Sequence, residues 1–168
     1  VSCHGTNFSK LEVAWRVKTD NFGPRPETKL EGTPIMVKGM LYATAGNARN
    51  VVAVDAATGE TLWMWRPQED PARLENAPRK GAGRGVSYWS NGKDACIFTV
   101  TPGFNLAALE AKTGRPVAGF GKDGVVDLMV GLPWAGAEDT GAVVQLSLGA
   151  GSLAESTLRR IDGRLPDG

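Results

Sequence analysis

One histidine, two cysteines and a scatter of carboxylates and guanidinium groups are what this 168-residue chain offers to chemistry. His4 follows Cys3 in "SCHG", the end of a C-x-x-C-H haem-attachment motif whose first cysteine is absent. Covalent haem attachment therefore has no support, and His4 reads as a terminal side chain. Cys3 and Cys96 make no framework; a free pair is the plainer reading, and a disulfide between them stays open. Glu31 follows Lys29 in a polar loop and reads, on its own, as a solvated charge. Arg84, among Gly81, Gly83 and Gly85, reads as a loop arginine. Glu155 and Asp162 lie in "GSLAESTLRRIDGRLPDG", which matches no metal-ligand motif. "NFS" at Asn7–Ser9 fits a glycosylation sequon by pattern alone. No catalytic residue and no metal ligand is assigned from these groups.

The elements that would position any site are short strands. With 22 Gly and 10 Pro, the chain is rich in turn formers and poor in plausible long helices. Hydrophobic residues at 42% and charged residues at 22% place it among ordinary soluble globular sequences. Its 19 Lys and Arg nearly balance 18 Asp and Glu, which removes the basic footprint of a nucleic-acid binder and any polybasic membrane patch. No apolar run approaches the roughly 18 residues of a spanning helix. The chain opens on Val1, so the lack of a visible export signal carries no weight.

"LEVAWRV" (Leu11–Val17) alternates apolar and polar residues with the period of a half-buried strand. A Pro- and Gly-rich loop follows. "TPIMVKG" and "MLYATAG" then form a hairpin signal, and "NVVAVDAATGETLWMWR" gives two more strands around a Thr58-Gly59 turn. Thr33 to Arg66 thus reads as a four-stranded antiparallel meander. After a long polar loop the pattern restarts as "RGVSYWS", "ACIFTVT", "NLAALEA" and a weaker "RPVAGFG". Aligning the Thr-Gly turns sets Ala53–Gly59 against Ala108–Gly114, an offset of 55 residues, with Ala, Ala, Thr and Gly identical and Asp55 matched by Glu110. A four-stranded unit recurring at that spacing is the signature of propeller blades. The turn has a physical logic. Asp55 can accept bonds from turn amides, Gly59 supplies a positive φ, and the flat indole of Trp63 suits a wedge between twisted sheets. The second copy has Ala118 where the first has Trp63.

"AVDAATGETLW" resembles the tryptophan-docking repeat of the quinoprotein dehydrogenases, eight-bladed propellers that hold pyrroloquinoline quinone (PQQ) on the propeller axis. "NFSKLEVAWRVKTD", "LEGTPIMVKGMLYATAG", "GRGVSYW" and "TPGFNLAALEAKTGRPVAGFGKDGVVDL" resemble the family's successive segments, so the likeness runs from about Asn7 to about Leu128. It implies an all-β fold, a partial β-propeller of about two four-stranded blades with an irregular C-terminal tail. Residues 1–128 would be the amino-terminal part of the propeller and 129–168 a divergent or truncated tail, with the reading frame lost near Val143 as the favoured cause. By motif, Glu31 would lie beside the quinone and Arg84 would contact a PQQ carboxylate; Thr101 is carried across as a third cofactor residue. PQQ has three carboxylates, for which a guanidinium fork is a natural bidentate partner.

The resemblance further implies oxidation of an alcohol or aldose sugar in the periplasm or at the periplasmic face of the inner membrane. The electron acceptor would be cytochrome c or ubiquinone. In the family mechanism an aspartate base takes the hydroxyl proton as hydride passes to the quinone C5 carbonyl, which Ca²⁺ polarises. The aspartate and most Ca²⁺ ligands are expected outside this chain, which alone should not turn over substrate. The adjacent cysteines that some members carry before the arginine segment are replaced by "APRKGAG", so a vicinal disulfide at the cofactor is excluded. The competing reading is a non-enzymatic propeller of the same repeat, a scaffold for protein assembly at the outer membrane, with no reason to aim Glu31 and Arg84 at the axis. A β-sandwich binding module is a weaker third.

Overall fold

The computed structural model describes residues 8–19, 22–23, 30–77, 81–128, 143–148 and 156–161. The first meander is a four-stranded antiparallel sheet of β1 (Ile35–Val37), β2 (Met40–Ala45), β3 (Asn50–Asp55) and β4 (Thr61–Trp65) in sequential order. The second has the same order: β5 (Ser87–Ser90), β6 (Ala95–Val100), β7 (Asn105–Glu110) and β8 (Val125–Asp127). Between them lies one short helix, α1 (Pro71–Asn76), which the polar loop did not announce. Its local signal is clear in retrospect: the Asp70 carboxylate accepts from the Ala72 amide at 2.8 Å, and Pro71 occupies the first turn, where its missing N–H costs nothing.

β3 explains why two sheets must pack together. Its residues Asn50–Val54 are all buried, so both faces of the strand are covered. Val51 and Ala53 join Tyr42, Ile97, Leu109 and Ala111 in a core between the sheets, with Trp63, Trp65 and Tyr88 packed around it. Val52 and Val54 point the other way, into a cluster with Phe22 and Ala45 that Trp15 and Val17 cover. On the far side of the second sheet, Ala108 packs with Phe120 and Val126. Stacked antiparallel sheets with this order form a partial propeller.

The Thr-Gly turns work as their residue types require. Asp55 Oδ1 accepts from the amides of Ala57 at 2.8 Å and Thr58 at 2.9 Å, which holds its carboxyl below the usual range. Gly114, at φ +70°, lies against the Trp63 indole, and a Cβ there would clash with the ring at Cε3 and Cδ2. The Trp63 Nε1–H donates to Ala111 O at 3.1 Å. Trp15 repeats the arrangement one unit earlier: it packs on Gly59 and donates to Ala56 O at 3.0 Å. Ala56 and Ala111 are themselves 55 residues apart, so the repeat is one of contacts as well as letters.

Three readings need correction or extension. Leu11–Val17 is not a strand; no described strand pairs with it, Leu11 and Val13 stay exposed, and its alternation serves to lay Trp15 and Val17 on the first sheet. The fourth strand of the second sheet is β8, not "RPVAGFG". That segment touches β7 through a Leu109–Pro116 bridge and a Val117 N–H donated to Ala108 O, then turns away at Gly119 and Gly121, both at positive φ. In the tail, β9 (Val143–Leu148) and β10 (Ser156–Ile161) form a two-stranded antiparallel sheet. Cys96 is a free, buried thiol, raised in pKa by burial and by the nearby Asp94 and Glu110; Cys3 lies outside the described residues.

Candidate functional site

The β2–β3 turn, the segment leading into β5, and the β6–β7 turn converge on one cleft of about 640 Å³. Its wall contains Glu31, Arg49, Arg84, Thr99 and Thr101, with Phe98, Phe104 and Leu106 supplying an apolar side. All three residues carried over by resemblance therefore meet in one place. They come from positions 31, 84 and 101, and backbone pairing holds the first two stretches side by side. Thr33 N–H donates to Arg84 O at 3.3 Å, and Thr33 bridges Gly85 in parallel register.

The polar groups differ in what they have left to offer. Glu31 and Arg84 are exposed at the cleft. The Arg84 guanidinium makes no hydrogen bond or ion pair with another described residue. Thr101 is buried and its hydroxyl oxygen already accepts the Asn105 amide at 3.1 Å, closing the β6–β7 turn. Thr99 is buried too, but its Oγ1 has no hydrogen-bond partner among the described residues. A buried hydroxyl without a partner costs roughly 1–3 kcal/mol unless water or a ligand meets it. Thr101 keeps its O–H donor after accepting that amide, and Thr99 keeps both its donor and its acceptors.

Sequence reasoning missed Arg49. It donates from Nε to Gly81 O at 3.2 Å and from Nη1 to Val100 O at 3.1 Å. Burial lowers its pKa and Glu69 raises it again, and a guanidinium remains a cation at neutral pH throughout. Nothing local to "AGNARN" marks it, because both carbonyl partners lie far along the chain. The cleft thus presents two guanidinium groups, one carboxylate, an unspent hydroxyl and an apolar wall. That set suits an anionic organic molecule. Among the described residues, no group of three or more His, Cys, Asp or Glu is placed to hold a metal ion.

Two packed four-stranded antiparallel sheets with tryptophans docked on the repeated turns define a propeller-type segment. The chain belongs to the PQQ family described as "Glucose/ethanol/alcohol dehydrogenase, beta-propeller domain", whose model matches residues 3–150. It is 38% identical over 112 residues to an alcohol dehydrogenase (quinone), dehydrogenase subunit, of Gluconobacter oxydans (strain 621H), covering 66% of this chain and 13% of that protein. A quinoprotein glucose dehydrogenase of the same organism is 30% identical over 145 residues, covering 76% of this chain and 17% of that protein. Among solved structures, the quinohemoprotein alcohol dehydrogenase ADHIIG of Pseudomonas putida HK5 superposes with a TM-score of 0.50 at 31% identity, over 62% of this chain and 14% of that one. The chain therefore spans less than one fifth of the length of these relatives.

Proposed function

We propose that this chain supplies part of the PQQ cradle of a periplasmic dehydrogenase that oxidises an alcohol or an aldose sugar. Arg84 binds a cofactor carboxylate, Glu31 lies beside the ring system, and the Thr99–Thr101 stretch donates a hydroxyl. When bound, PQQ supplies the hydride-accepting quinone. The chain's own residues bind and orient it, and the apolar side at Phe98, Phe104 and Leu106 limits water on one flank. The proton-transferring base, the Ca²⁺ ligands and the docking site for cytochrome c or ubiquinone are assigned to parts of the enzyme other than this chain.

The observation that carries this reading is the convergence of Glu31, Arg84, Thr99 and Thr101 on one cleft, with the Thr99 hydroxyl lacking a partner among the described residues. A scaffold propeller has no need for that convergence. The test is titration of the chain with PQQ, with and without Ca²⁺, followed by quinone absorbance. A charge-assisted contact contributes about 1.5–3 kcal/mol, so Arg84→Gln should weaken binding at least about tenfold. The trimethyl ester of PQQ should show no such difference between the native chain and the variant. Equal affinity of PQQ for both, or no binding to the native chain, removes the proposal.

A further inference from the structure

Arg84 lies in a stretch that reads Gly81-Ala82-Gly83-Arg84-Gly85, with all three glycines at positive φ. Such a stretch has little conformational preference of its own. Something else must hold Arg84 where the cleft needs it. At its far end the stretch is pinned to Thr33, through the Arg84 carbonyl and the Gly85 bridge. At its near end the β2–β3 turn does the work. Gly81 N–H donates to Asn47 O at 3.2 Å, and Arg49 Nε donates to Gly81 O at 3.2 Å. The same guanidinium reaches β6 through Val100 O, so one planar fork ties three segments together. Gly83 rests directly on it: a Cβ at that position would lie 2.5 Å from Arg49 Nε. Arg49 itself has φ +56°, a conformation that costs a non-glycine residue roughly 1–2 kcal/mol and that these bonds offset.

We propose that Arg49 is a positioning residue for the anion-binding Arg84: its fork fixes the 81–85 stretch and so presents the Arg84 guanidinium to a carboxylate-bearing ligand. A pre-set stretch spares the ligand the cost of ordering it, which is how preorganisation raises affinity. Lysine cannot replace Arg49 in this role, because a compact ammonium cannot span two carbonyls in a fixed plane. The identity of the ligand as PQQ rests on the function proposed above; the positioning itself does not.

The full chain is prepared with Arg49→Gln, Arg49→Lys, Arg84→Gln and the double change Arg49→Gln/Arg84→Gln. Amide hydrogen exchange without cofactor comes first. Both Arg49 variants should speed exchange of the Gly81 and Thr33 amides about tenfold or more, while the β2–β3 ladder stays within about twofold. Unchanged exchange at those two amides overturns the proposal, as does equal acceleration in the ladder, and so does native behaviour of Arg49→Lys. PQQ titration follows. Arg49→Gln alone should weaken binding about tenfold, and the double variant should bind no more than about threefold more weakly than Arg84→Gln. Additive losses mean that Arg49 acts independently of Arg84, and the proposal fails. If the native chain binds no PQQ, the cofactor reading falls, and the exchange experiment alone decides the role of Arg49.

Discussion

Replacing Trp63 with alanine tests the contact on which the stacking of the two sheets depends. The indole sits between them, with its ring 5.9 Å from that of Tyr42 at 46°, its face on Gly114 and its N–H on Ala111 O. A fully buried Trp→Ala change costs about 3–5 kcal/mol. Trp63 is only half-buried, which reduces the packing loss to about 2 kcal/mol, and the lost hydrogen bond adds about 1. The expected cost is therefore about 3 kcal/mol, a large share of a domain's total stability at roughly 0.05–0.15 kcal/mol per residue. Gly114→Ala attacks the same contact from the other side. It adds about 1–2 kcal/mol of left-handed strain and displaces the indole, for a similar total. Once Trp63 is gone, Gly114→Ala has only its backbone strain left to exert. The double variant should thus be more stable than the two single losses added together, by about 1.5 kcal/mol. Urea unfolding followed by far-ultraviolet circular dichroism reads all four chains without relying on the indole that is removed. Additivity within about 0.5 kcal/mol, or a Trp63→Ala cost below about 1 kcal/mol, would refute the wedge.

Tyr42 is expected to make the fold sensitive to alkali. Burial, and then the neighbouring Tyr88, raise its phenol above the ordinary 10.0. Its contribution is complete below that value and is lost as pH rises from there towards the folded-state pKa, because only the unfolded chain gives up the proton readily. Tyr42→Phe should flatten the alkaline limb of a stability–pH curve while lowering stability at pH 7, since the phenol bonds Ala111 O at 3.1 Å. Asp55 acts at the other end. Its depressed carboxyl stabilises the turn above the ordinary 3.8, and that support disappears as pH falls through the lower folded value. Asp55→Asn should therefore blunt the acid limb. The Arg73–Asp127 pair, 2.5 Å apart and about one third exposed on each side, ties α1 to the end of β8. Arg73→Ala should cost about 1 kcal/mol, and part of that loss should vanish in 1 M salt.

The strands that were legible are those whose alternation has a ladder partner nearby. β2 and β3 pair over six positions from Met40–Asp55 to Ala45–Asn50, and the hairpin letters around them were enough to place both. Alternation misleads at Leu11–Val17 because it reports which side chains can be buried, not whether a backbone waits alongside. It misleads again at "RPVAGFG", where Pro116 and two glycines at positive φ break the ladder after a single bridge. The cleft was legible only through resemblance. Glu31 and Arg84 stand in segments with no period, so nothing in their own neighbourhood separates a ligand contact from a solvated charge. Arg49 was not legible at all, since its partners lie 32 and 51 residues away.

Distance along the chain is also what unites the wedge with the cleft. Trp15 reaches the Ala56 carbonyl, Trp63 reaches the Ala111 carbonyl, and Arg49 reaches the Val100 carbonyl. In each case a side chain from one unit donates to a main-chain oxygen of the next. A carbonyl is present whatever residue carries it, so the hydrogen bond itself constrains the donor's identity more than the acceptor's. The donor tryptophans stand out in the sequence for that reason, while the acceptors Ala56 and Ala111 recur as the same residue within the repeated turn that receives each indole. The pattern breaks at Ala118, which aligns with Trp63 in the sequence repeat, lies outside the strands, is exposed, and has no side-chain donor to offer. Placing tryptophan there by Ala118→Trp should therefore add an exposed apolar ring and no stability to the chain itself.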